Sequence, residues 1–230
     1  MIPRTPLDLD TSIPPKHDGW TPKRDDVSED GFGFFRDTWL IRDVTIRQAR
    51  EVMANERSLV ELADRVSNDA KEFDAVARAL ESGDADGLPE ALIVRGILVD
   101  LEPYLDEALS PLEGLELGVA GLVHALAAVR CWPAASCRGH AAPLAWAAHP
   151  VVFVACDTCR ARVLEPMIAT SGCGLNIDPE RPNLLVVEAE SVENLMILAS
   201  LVLETPKAFV RQRERRRSRM EAGGQGTFDF

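Results

Sequence analysis

The sequence lacks several features that would indicate where the protein acts or what it catalyses. It has no cysteine before residue 131, and its longest apolar run, Gly118–Val129, is too short to cross a bilayer and contains His124. The first thirty residues lack the basic and then apolar order of a signal peptide. No glycine-rich phosphate loop follows a predicted strand, and no zincin, kinase or hydrolase signature is present. These absences predict a cytoplasmic protein with no membrane segment.

The size and charge of the chain favour one acidic globular domain. With 230 residues, 46% of them hydrophobic, the chain can bury one substantial core. Its net charge is −12, yet residues 206–230 carry seven basic and only three acidic side chains. A basic segment on an acidic body usually has a partner of its own, either DNA or another acidic surface.

Composition divides the chain into regions with different expected behaviour. Residues 1–30 contain five prolines and eleven charged residues, too few apolar side chains to offset the entropy of ordering, although Trp20 offers one anchor. The predicted regions are a flexible arm over 1–30, one globular domain over 31–205 (helical over 43–130, α/β over 131–205), a basic helix over 206–222 and a flexible partner-binding tail over 223–230.

The first half of the globular domain has helical periodicity. Apolar residues recur every three or four positions between 43 and 83, which predicts two or three helices. Ser58 and Glu61 have the spacing of a capping box, which predicts that one of these helices begins there. The segment Leu115–Val129 is apolar on nearly every face, so we expect it at the centre of the core.

The second half alternates strands and helices. "VVFVAC" (Val151–Cys156) and "LLVVEAE" (Leu184–Glu190) are rich in β-branched residues and predict two buried strands. A helical pattern follows each of them, and strands separated by a helix are usually parallel. The sequence therefore predicts an α/β fold, with α+β as the alternative, in which the helical half packs on a small sheet of strand-helix-strand-helix units.

The five cysteines all fall between residues 131 and 173, and two pairs have the spacing of metal ligands. Zinc prefers four soft nitrogen or sulfur donors, and two short ligand pairs separated by fifteen residues can supply them. Buried thiols that only pack are one alternative, and thiol redox chemistry where a strand meets a helix is another. The candidate zinc ligands are Cys137, His140, Cys156 and Cys159.

The loop "SCRGH" (Ser136–His140) is also a candidate catalytic site. Gly139 permits a sharp turn, and the positive charges of Arg138 and His140 are expected to lower the pKa of the Cys137 thiol. Cys137 and His140 are therefore the candidate catalytic residues, unless the loop is only structural.

The same loop carries a family resemblance. The order Ser-Cys-x-Gly-basic is followed by Pro150, an apolar strand and a helix that ends in "SGCG". Over residues 122–204 this order resembles the tRNA wybutosine-synthesising methyltransferase-like family and uncharacterised bacterial proteins. The resemblance implies methyl transfer, although that family has Arg or Lys where this chain has His140, and it identifies no cofactor contact.

The last six residues, "QGTFDF", form a second motif. Gln225 is followed after two variable residues by Phe228, Asp229 and Phe230. This order resembles the bacterial sliding-clamp-binding hexapeptide, although Phe228 stands where Leu is more usual. The resemblance implies that the replication clamp is a partner. Two aromatic anchors suit a flexible peptide, because affinity must then come from a few deeply inserted side chains.

Three functions remain open from the sequence. The first is an accessory protein of DNA replication or repair, from a bacterium or a phage, that the tail recruits to the sliding clamp. The others are a nucleotide- or RNA-modifying enzyme that uses the Ser136–His140 loop and a zinc-stabilised module that binds nucleic acid or protein. Candidate phosphate contacts beside the tail are Arg211, Arg213, Arg215, Arg216, Arg217 and Arg219.

Overall fold

The computed structural model describes residues 1–22, 41–105, 112, 114–140 and 147–210. Most of the predicted basic helix and the whole tail over 223–230 lie outside the described residues. Within the described parts of the chain, no helix combines the length and the apolar character needed to cross a membrane.

A long helix opens the globular body. Helix α1 (Ile46–Val66) begins at Thr45, whose hydroxyl accepts the backbone N–H of Gln48 at 3.2 Å, while the Gln48 side chain accepts that of Thr45 at 2.9 Å. This capping box satisfies two donors that the first turn leaves unpaired. The helix runs on through Ser58, which donates to the carbonyl four residues earlier. The capping box predicted at Ser58 and Glu61 is therefore wrong.

The remaining helices of the first half are shorter. Helix α2 (Ala70–Ser82) begins at Asp69, whose carboxylate accepts two backbone N–H groups, and ends at Gly83 in the left-handed conformation. It is followed by α3 (Glu90–Val94), α4 (Leu98–Leu101) and a 3-10 turn (Glu102–Tyr104). Helix α5 (Ala120–Ala128) is buried on nearly every face. This confirms the central position that was expected for its apolar segment.

In the described part of the chain, four strands form one sheet whose neighbouring strands are all antiparallel. The strands are β1 (Trp132–Cys137), β2 (Val151–Ala155), β3 (Cys173–Ile177) and β4 (Leu184–Ala189), in the spatial order β1-β2-β4-β3. Helix α6 (Thr158–Ser171) connects β2 to β3, and α7 (Val192–Glu204) follows β4. The predicted α/β fold is confirmed.

The expected parallel pairing of β2 and β4 is wrong. The register pairs Val151 with Glu188 in antiparallel strands. Strand β3 runs in the same direction as β2 after the α6 crossover, and β4 then turns back to lie between them. The sequence did not predict β3 because Gly174 and Asn176 are residues that disfavour strands. The two parallel strands are therefore β2 and β3, which are not neighbours in the sheet.

The main core lies between the sheet and the helices. Helices α5 and α7 contact strands of the sheet, and α1 packs on both of these helices. The opposite face of the sheet carries two smaller apolar clusters, one around Cys137 and one beneath Trp20 and Trp132. The helical half therefore packs on the sheet, as predicted.

Residues 1–22 lie along the body, whereas composition predicted a flexible arm over 1–30. Backbone hydrogen bonds hold this arm in place, and they join Thr5 to Glu190, Leu175 to Asp10, and Trp20 to Cys156, at 2.9, 2.6 and 2.9 Å. Trp20 also packs against the second small cluster, the anchoring role expected for it. Main-chain hydrogen bonding, which composition does not report, thus orders a proline-rich segment with few apolar side chains. Residues 23–30 lie outside the described residues.

Candidate functional site

The loop after β1 makes the sharp turn that was expected at Gly139. Gly139 has φ +82°, in the left-handed region that favours glycine. A side-chain carbon there would lie 2.5 Å from the carbonyl carbon of His149. The backbone N–H of His140 donates to the carbonyl of Ala147 at 3.0 Å. The segment that leaves β1 therefore lies against the segment that enters β2. In this arrangement the side chains of Arg138 and His140 contact helix α2.

Arg138 binds two carboxylates of α2 from a buried position. Its side chain is only 2% exposed. One guanidinium nitrogen donates to Glu81 at 2.9 Å and another to Asp74 at 2.8 Å. The two acidic residues lie seven positions apart, two helical turns, on one face of α2. A buried arginine therefore joins the end of β1 to the helical half through charge-assisted hydrogen bonds.

Burial and Arg138 shift the pKa values of these two carboxyl groups in opposite directions. Burial raises the pKa of Glu81 to about 7, although Arg138 and the Leu117 backbone N–H oppose the shift. Burial also raises the pKa of Asp74, but Arg138, His140 and Arg78 outweigh it, and the pKa is lowered overall. Asp74 is therefore ionised at neutral pH, whereas Glu81 is poised near its titration point.

His140 completes the cluster together with Glu116. One ring nitrogen lies 3.1 Å from Asp74 and the other 2.9 Å from Glu116. A second oxygen of Glu116 accepts the backbone N–H of Arg138 at 2.7 Å. Glu116, Cys137 and His140 each have one potential metal-ligand atom within 4.8 Å of the other two. Among the described residues, no other group of three or more such side chains lies this close together.

The Cys137 thiol does not have the lowered pKa that the neighbouring positive charges predicted. Burial and the nearby Glu116 carboxylate raise its pKa to about 12. Arg138 lowers it only slightly, because its guanidinium is directed at the α2 carboxylates. Cys137 is 0% exposed. It is a neutral, buried thiol, so the prediction of an activated nucleophile is wrong.

The structure does not bring the four predicted zinc ligands together. Cys137 lies opposite Val151, the first residue of β2, whereas Cys156 follows the last residue of that strand. Since a strand advances about 3.3 Å per residue, roughly 16 Å separate these cysteines along the sheet. The predicted zinc ribbon is therefore wrong, because its four ligands fall into two separate pairs. One pair is Cys137 with His140, and the other is Cys156 with Cys159.

Cys156 and Cys159 lie where β2 gives way to helix α6, the position expected from the sequence. Asp157 begins the helix and accepts the backbone N–H of Cys159 at 2.9 Å. Cys156 is fully buried, and its neighbours are the Cys131 thiol and the His17 imidazole. His17, which was expected in a flexible arm, is only 8% exposed.

A further buried carboxylate lies in the core. Glu56 of α1 accepts the backbone N–H groups of Gly118 and Gly121, each at 2.9 Å, at the start of α5. Burial raises the pKa of Glu56 to about 7, against the lowering effect of these hydrogen bonds. The carboxylate satisfies donors of the helix N-terminus and interacts favourably with its dipole.

Sequence reasoning missed the acidic half of the cluster and the thiol neighbours. Asp74 and Glu81 each come directly after a buried apolar residue of α2. A carboxylate beside an apolar stripe is a local signal, because a partly buried acidic side chain needs a cationic partner. Glu116, His17 and Cys131 give no comparable local signal, because only the tertiary fold brings them to their partners.

The remaining predicted site residues lie outside the described part of the chain. They are Gln225, Phe228, Asp229 and Phe230 of the tail, and Arg211, Arg213, Arg215, Arg216, Arg217 and Arg219. Comparison with known protein families, curated proteins and solved structures finds no match for this chain.

Proposed function

We propose that the protein is a cytoplasmic accessory factor of DNA replication or repair that is recruited to the sliding clamp by residues 225–230. The observation that carries this proposal is the sequence Gln225-x-x-Phe228-Asp229-Phe230. In such a peptide the glutamine amide both donates and accepts hydrogen bonds, while the phenylalanine rings insert into an apolar pocket. The activity of the folded body is left open by this proposal.

The end of the described chain is compatible with a motif that acts away from the body. Phe209, which is 2% exposed, packs in the core, and Val210, the last described residue, is 57% exposed. Fifteen residues lead from Val210 to Gln225. This length sets an upper limit of about 50 Å on the separation between the body and the motif. A segment of this length is long enough for the motif to bind a partner while the body stays folded.

The basic residues before the motif favour a position beside DNA. Six arginines fall between residues 211 and 219, on a chain whose net charge is −12. A protein bound to a clamp lies next to the duplex, where each arginine-phosphate contact adds affinity that weakens as salt rises. The acidic body disfavours such contacts elsewhere on the molecule.

A pull-down with purified bacterial sliding clamp tests the recruitment. The full chain is compared with a variant that lacks residues 225–230 and with Glu221→Gln, a matched change outside the motif. We expect the full chain and Glu221→Gln to retain the clamp, and the deletion to lower retention at least tenfold. Equal retention by the deletion variant would remove the proposal.

A zinc-stabilised binding module is the second candidate, and one observation favours it. Glu116, Cys137 and His140 each place a potential ligand atom within 4.8 Å of the other two. Imidazole, thiolate and carboxylate are all ligands that Zn²⁺ accepts. Binding would release the Cys137 proton and replace the hydrogen bond between His140 and Glu116. Cys137 and His140 would then bind the metal as predicted, with Glu116 as a third ligand in place of Cys156 and Cys159.

Cobalt substitution tests the metal candidate, because Co²⁺ in a thiolate site absorbs visible light. The full chain should bind one equivalent of Zn²⁺ or Co²⁺, with a thiolate band that Cys137→Ala abolishes. Cys173→Ala removes another buried thiol and serves as the matched control. A chain that folds fully and binds no metal, or a band unchanged in Cys137→Ala, would exclude this site.

The enzyme alternative has less support. Cys137 and His140 are the candidate catalytic residues for action on a nucleotide or RNA. The thiol is buried with a raised pKa, and both nitrogens of the imidazole are engaged by carboxylates. A nucleophile needs the thiolate and access to substrate. No observation on this loop favours catalysis over binding or structure.

A further inference from the structure

A cavity lies at the end of the sheet where β1 begins and β2 ends. Its volume is about 920 Å³, within the range of roughly 300–1,000 Å³ that is usual for pockets that hold small ligands. Its walls come from the arm, from the segment before α1, from the end of α5 with the start of β1, and from the first turn of α6. None of Glu116, Cys137 and His140 lines it. The cavity is therefore a separate candidate site.

Arginines outnumber the carboxylates that line the cavity. Arg42, Arg130 and Arg160 are lining residues, and the acidic ones are Asp43 and Asp157. The Asp157 carboxylate is already engaged, because it pairs with Arg160 and caps α6. On a chain whose net charge is −12, a cavity with more cations than anions favours a negatively charged ligand.

Arg160 is fixed in the wall of the cavity and keeps one donor unused. Its side chain is only 7% exposed. Its Nε donates to the carbonyl of Val129 at 3.1 Å, and one terminal nitrogen pairs with Asp157. The other terminal nitrogen, Nη2, makes no hydrogen bond with a described residue. A guanidinium that is held in place and retains a donor is suited to a phosphate or carboxylate of a ligand.

Arg130 occupies a position where glycine is usual. Its backbone N–H donates to the carbonyl of Ala127 at 3.0 Å. The N–H of Cys131 donates to that of Leu126 at 2.9 Å, which completes a Schellman motif at the end of α5. Arg130 has a φ of 63°, in the left-handed region, and its side chain makes no hydrogen bond or ion pair with a described residue. Because no such contact offsets this backbone strain, the position points to a role for the guanidinium in the cavity.

A tryptophan gives the cavity a flat apolar surface. Trp132 is a lining residue, and the guanidinium of Arg42 lies 5.5 Å from the centroid of its ring. This distance is typical of a cation–π contact. Nucleobases stack both on aromatic side chains and on guanidinium planes. Trp132 and Arg42 therefore provide a stacking surface for a planar ring.

We propose that the cavity binds a nucleotide, with its base stacked on Trp132 and Arg42 and its phosphate held by Arg130 and Arg160. An anion without a ring would leave the stacking surface unused, and a neutral ring would leave the Arg160 donor without a partner. A nucleotide joins a planar base and a phosphate in one molecule. Asp43 can accept hydrogen bonds from the hydroxyl groups of its sugar. The site belongs to the folded body, so it is independent of recruitment by residues 225–230.

Calorimetric titration of the full chain tests the proposal. The probes are the four nucleoside 5′-monophosphates, the corresponding nucleosides and inorganic phosphate. We expect saturable binding of at least one monophosphate, and binding at least tenfold weaker for its nucleoside and for inorganic phosphate. No binding of any monophosphate would overturn the proposal, and so would equal affinity for the nucleoside or for inorganic phosphate.

A 5′-phosphorylated single-stranded oligonucleotide, titrated in parallel, distinguishes the two sources of this ligand. The nucleotide is the end of a strand if the oligonucleotide binds at least tenfold more tightly than the monophosphate. It is a free nucleotide if the monophosphate binds as tightly or more tightly.

Arg130→Gly separates ligand binding from a structural role. Glycine removes the guanidinium and fits the left-handed position, so the melting temperature should stay the same or rise while the affinity for the monophosphate falls at least tenfold. Arg162→Gln is the matched control, because it removes an exposed cation of α6 that does not line the cavity. Its affinity should equal that of the unaltered chain. Unchanged affinity in Arg130→Gly would contradict the role of Arg130.

Two further variants separate the phosphate contact from the base contact. In Arg160→Gln the preference for the monophosphate over its nucleoside should largely disappear. In Trp132→Leu the preference for the monophosphate over inorganic phosphate should fall, whereas Trp132→Phe keeps an aromatic surface and should retain most of it. Circular dichroism verifies that each variant is folded, and Arg130→Gly remains decisive if Arg160→Gln is not. Unchanged preferences in folded variants would contradict the assigned contacts.

Discussion

At the scale of single residues, Arg138 joins the two halves of the fold. Its guanidinium is 2% exposed and holds carboxylates of α2, while its backbone N–H is held by Glu116. Removing one partner of a buried ion pair leaves a charge without compensation, which costs much more than the loss of an exposed pair. The comparison is direct, because the exposed Arg78 binds the same Asp74 at 2.8 Å.

Arg138→Met should therefore lower the free energy of unfolding by about 3–5 kcal/mol at pH 8. Arg78→Ala, which removes a cation whose side chain is 66% exposed, should change it by no more than about 1 kcal/mol. Urea denaturation at pH 8 and pH 6 measures both. In Arg138→Met the loss should be smaller at pH 6, because Glu81 then takes up a proton. Equal losses in the two variants would contradict a buried ion pair.

Gly139 permits the close approach of the two loop segments. Gly139→Ala places a side-chain carbon 2.5 Å from the backbone of His149, at a φ of +82°. We expect a loss of at least about 2 kcal/mol, seen as a melting temperature lowered by several degrees. Gly87→Ala is the matched control, because nothing lies within 4 Å of the added carbon. A Gly139→Ala chain as stable as this control would show that the approach is not required.

At the scale of elements, Glu56 couples α1 to the N-terminus of α5. The pKa of its carboxyl is about 7 in the folded protein against 4.5 for an ordinary glutamate, so the folded state binds the proton more tightly. The stabilisation from this proton is complete below about pH 4.5 and is lost as the pH rises to about 7. Ionisation of Glu56 thus opposes folding, and the backbone N–H groups offset only part of the cost.

Glu56→Gln removes this titrating group, so it tests whether stability falls as the pH rises. Between pH 5 and pH 8, the unfolding free energy of the unaltered chain should fall relative to that of Glu56→Gln by about 2–3 kcal/mol, since one pKa unit corresponds to about 1.4 kcal/mol. Urea denaturation over this range gives the difference. A constant difference, or one that grows with pH, would contradict the raised pKa.

The elements also show how far the sequence was informative. Strands β2 and β4 could be predicted because Val151–Cys156 and Leu184–Glu190 concentrate β-branched residues. Strand β1 could not, because Pro133 and two alanines give it little strand propensity. The central place of α5 followed from its apolar faces. The pairing of β2 with β4 depends on β3, so it could not be deduced from the two stronger strands.

The candidate site was predictable only where its residues are close in sequence. Cys137 and His140 were predicted together because one turn joins them, and the structure keeps them together. Their acidic partners come from α2 and from Glu116, more than twenty residues away in sequence. Cys156 was expected to act with Cys159, but its thiol neighbour is Cys131, the residue directly before the adjacent strand β1. Contacts made by tertiary packing leave no local pattern.

At the scale of the whole molecule, the arm over residues 1–22 covers an edge of the sheet. Strand β3 lies at one edge, and its Leu175 N–H donates to the carbonyl of Asp10 at 2.6 Å. An uncovered edge strand presents unpaired backbone groups that pair readily with another chain. The proline-rich arm supplies such pairing from within the chain.

Deletion of residues 1–22 should therefore increase self-association and lower the melting temperature. Light scattering coupled to size-exclusion chromatography measures the first effect and thermal unfolding the second. Arg4→Ala is a suitable control, because it removes only an exposed ion pair with Glu193 and should change neither. A truncated chain with unchanged mass and stability would show that the arm does not protect the edge.

The recruitment proposal concerns the other end of the chain, and its most direct test is a calorimetric titration of purified sliding clamp. The unaltered chain should give saturable binding, because two aromatic anchors and Gln225 supply the affinity. The double variant Phe228→Ala with Phe230→Ala should bind about a hundredfold more weakly, with the body folded as before. Equal dissociation constants for the two chains, or no heat of binding from the unaltered chain, would contradict the account.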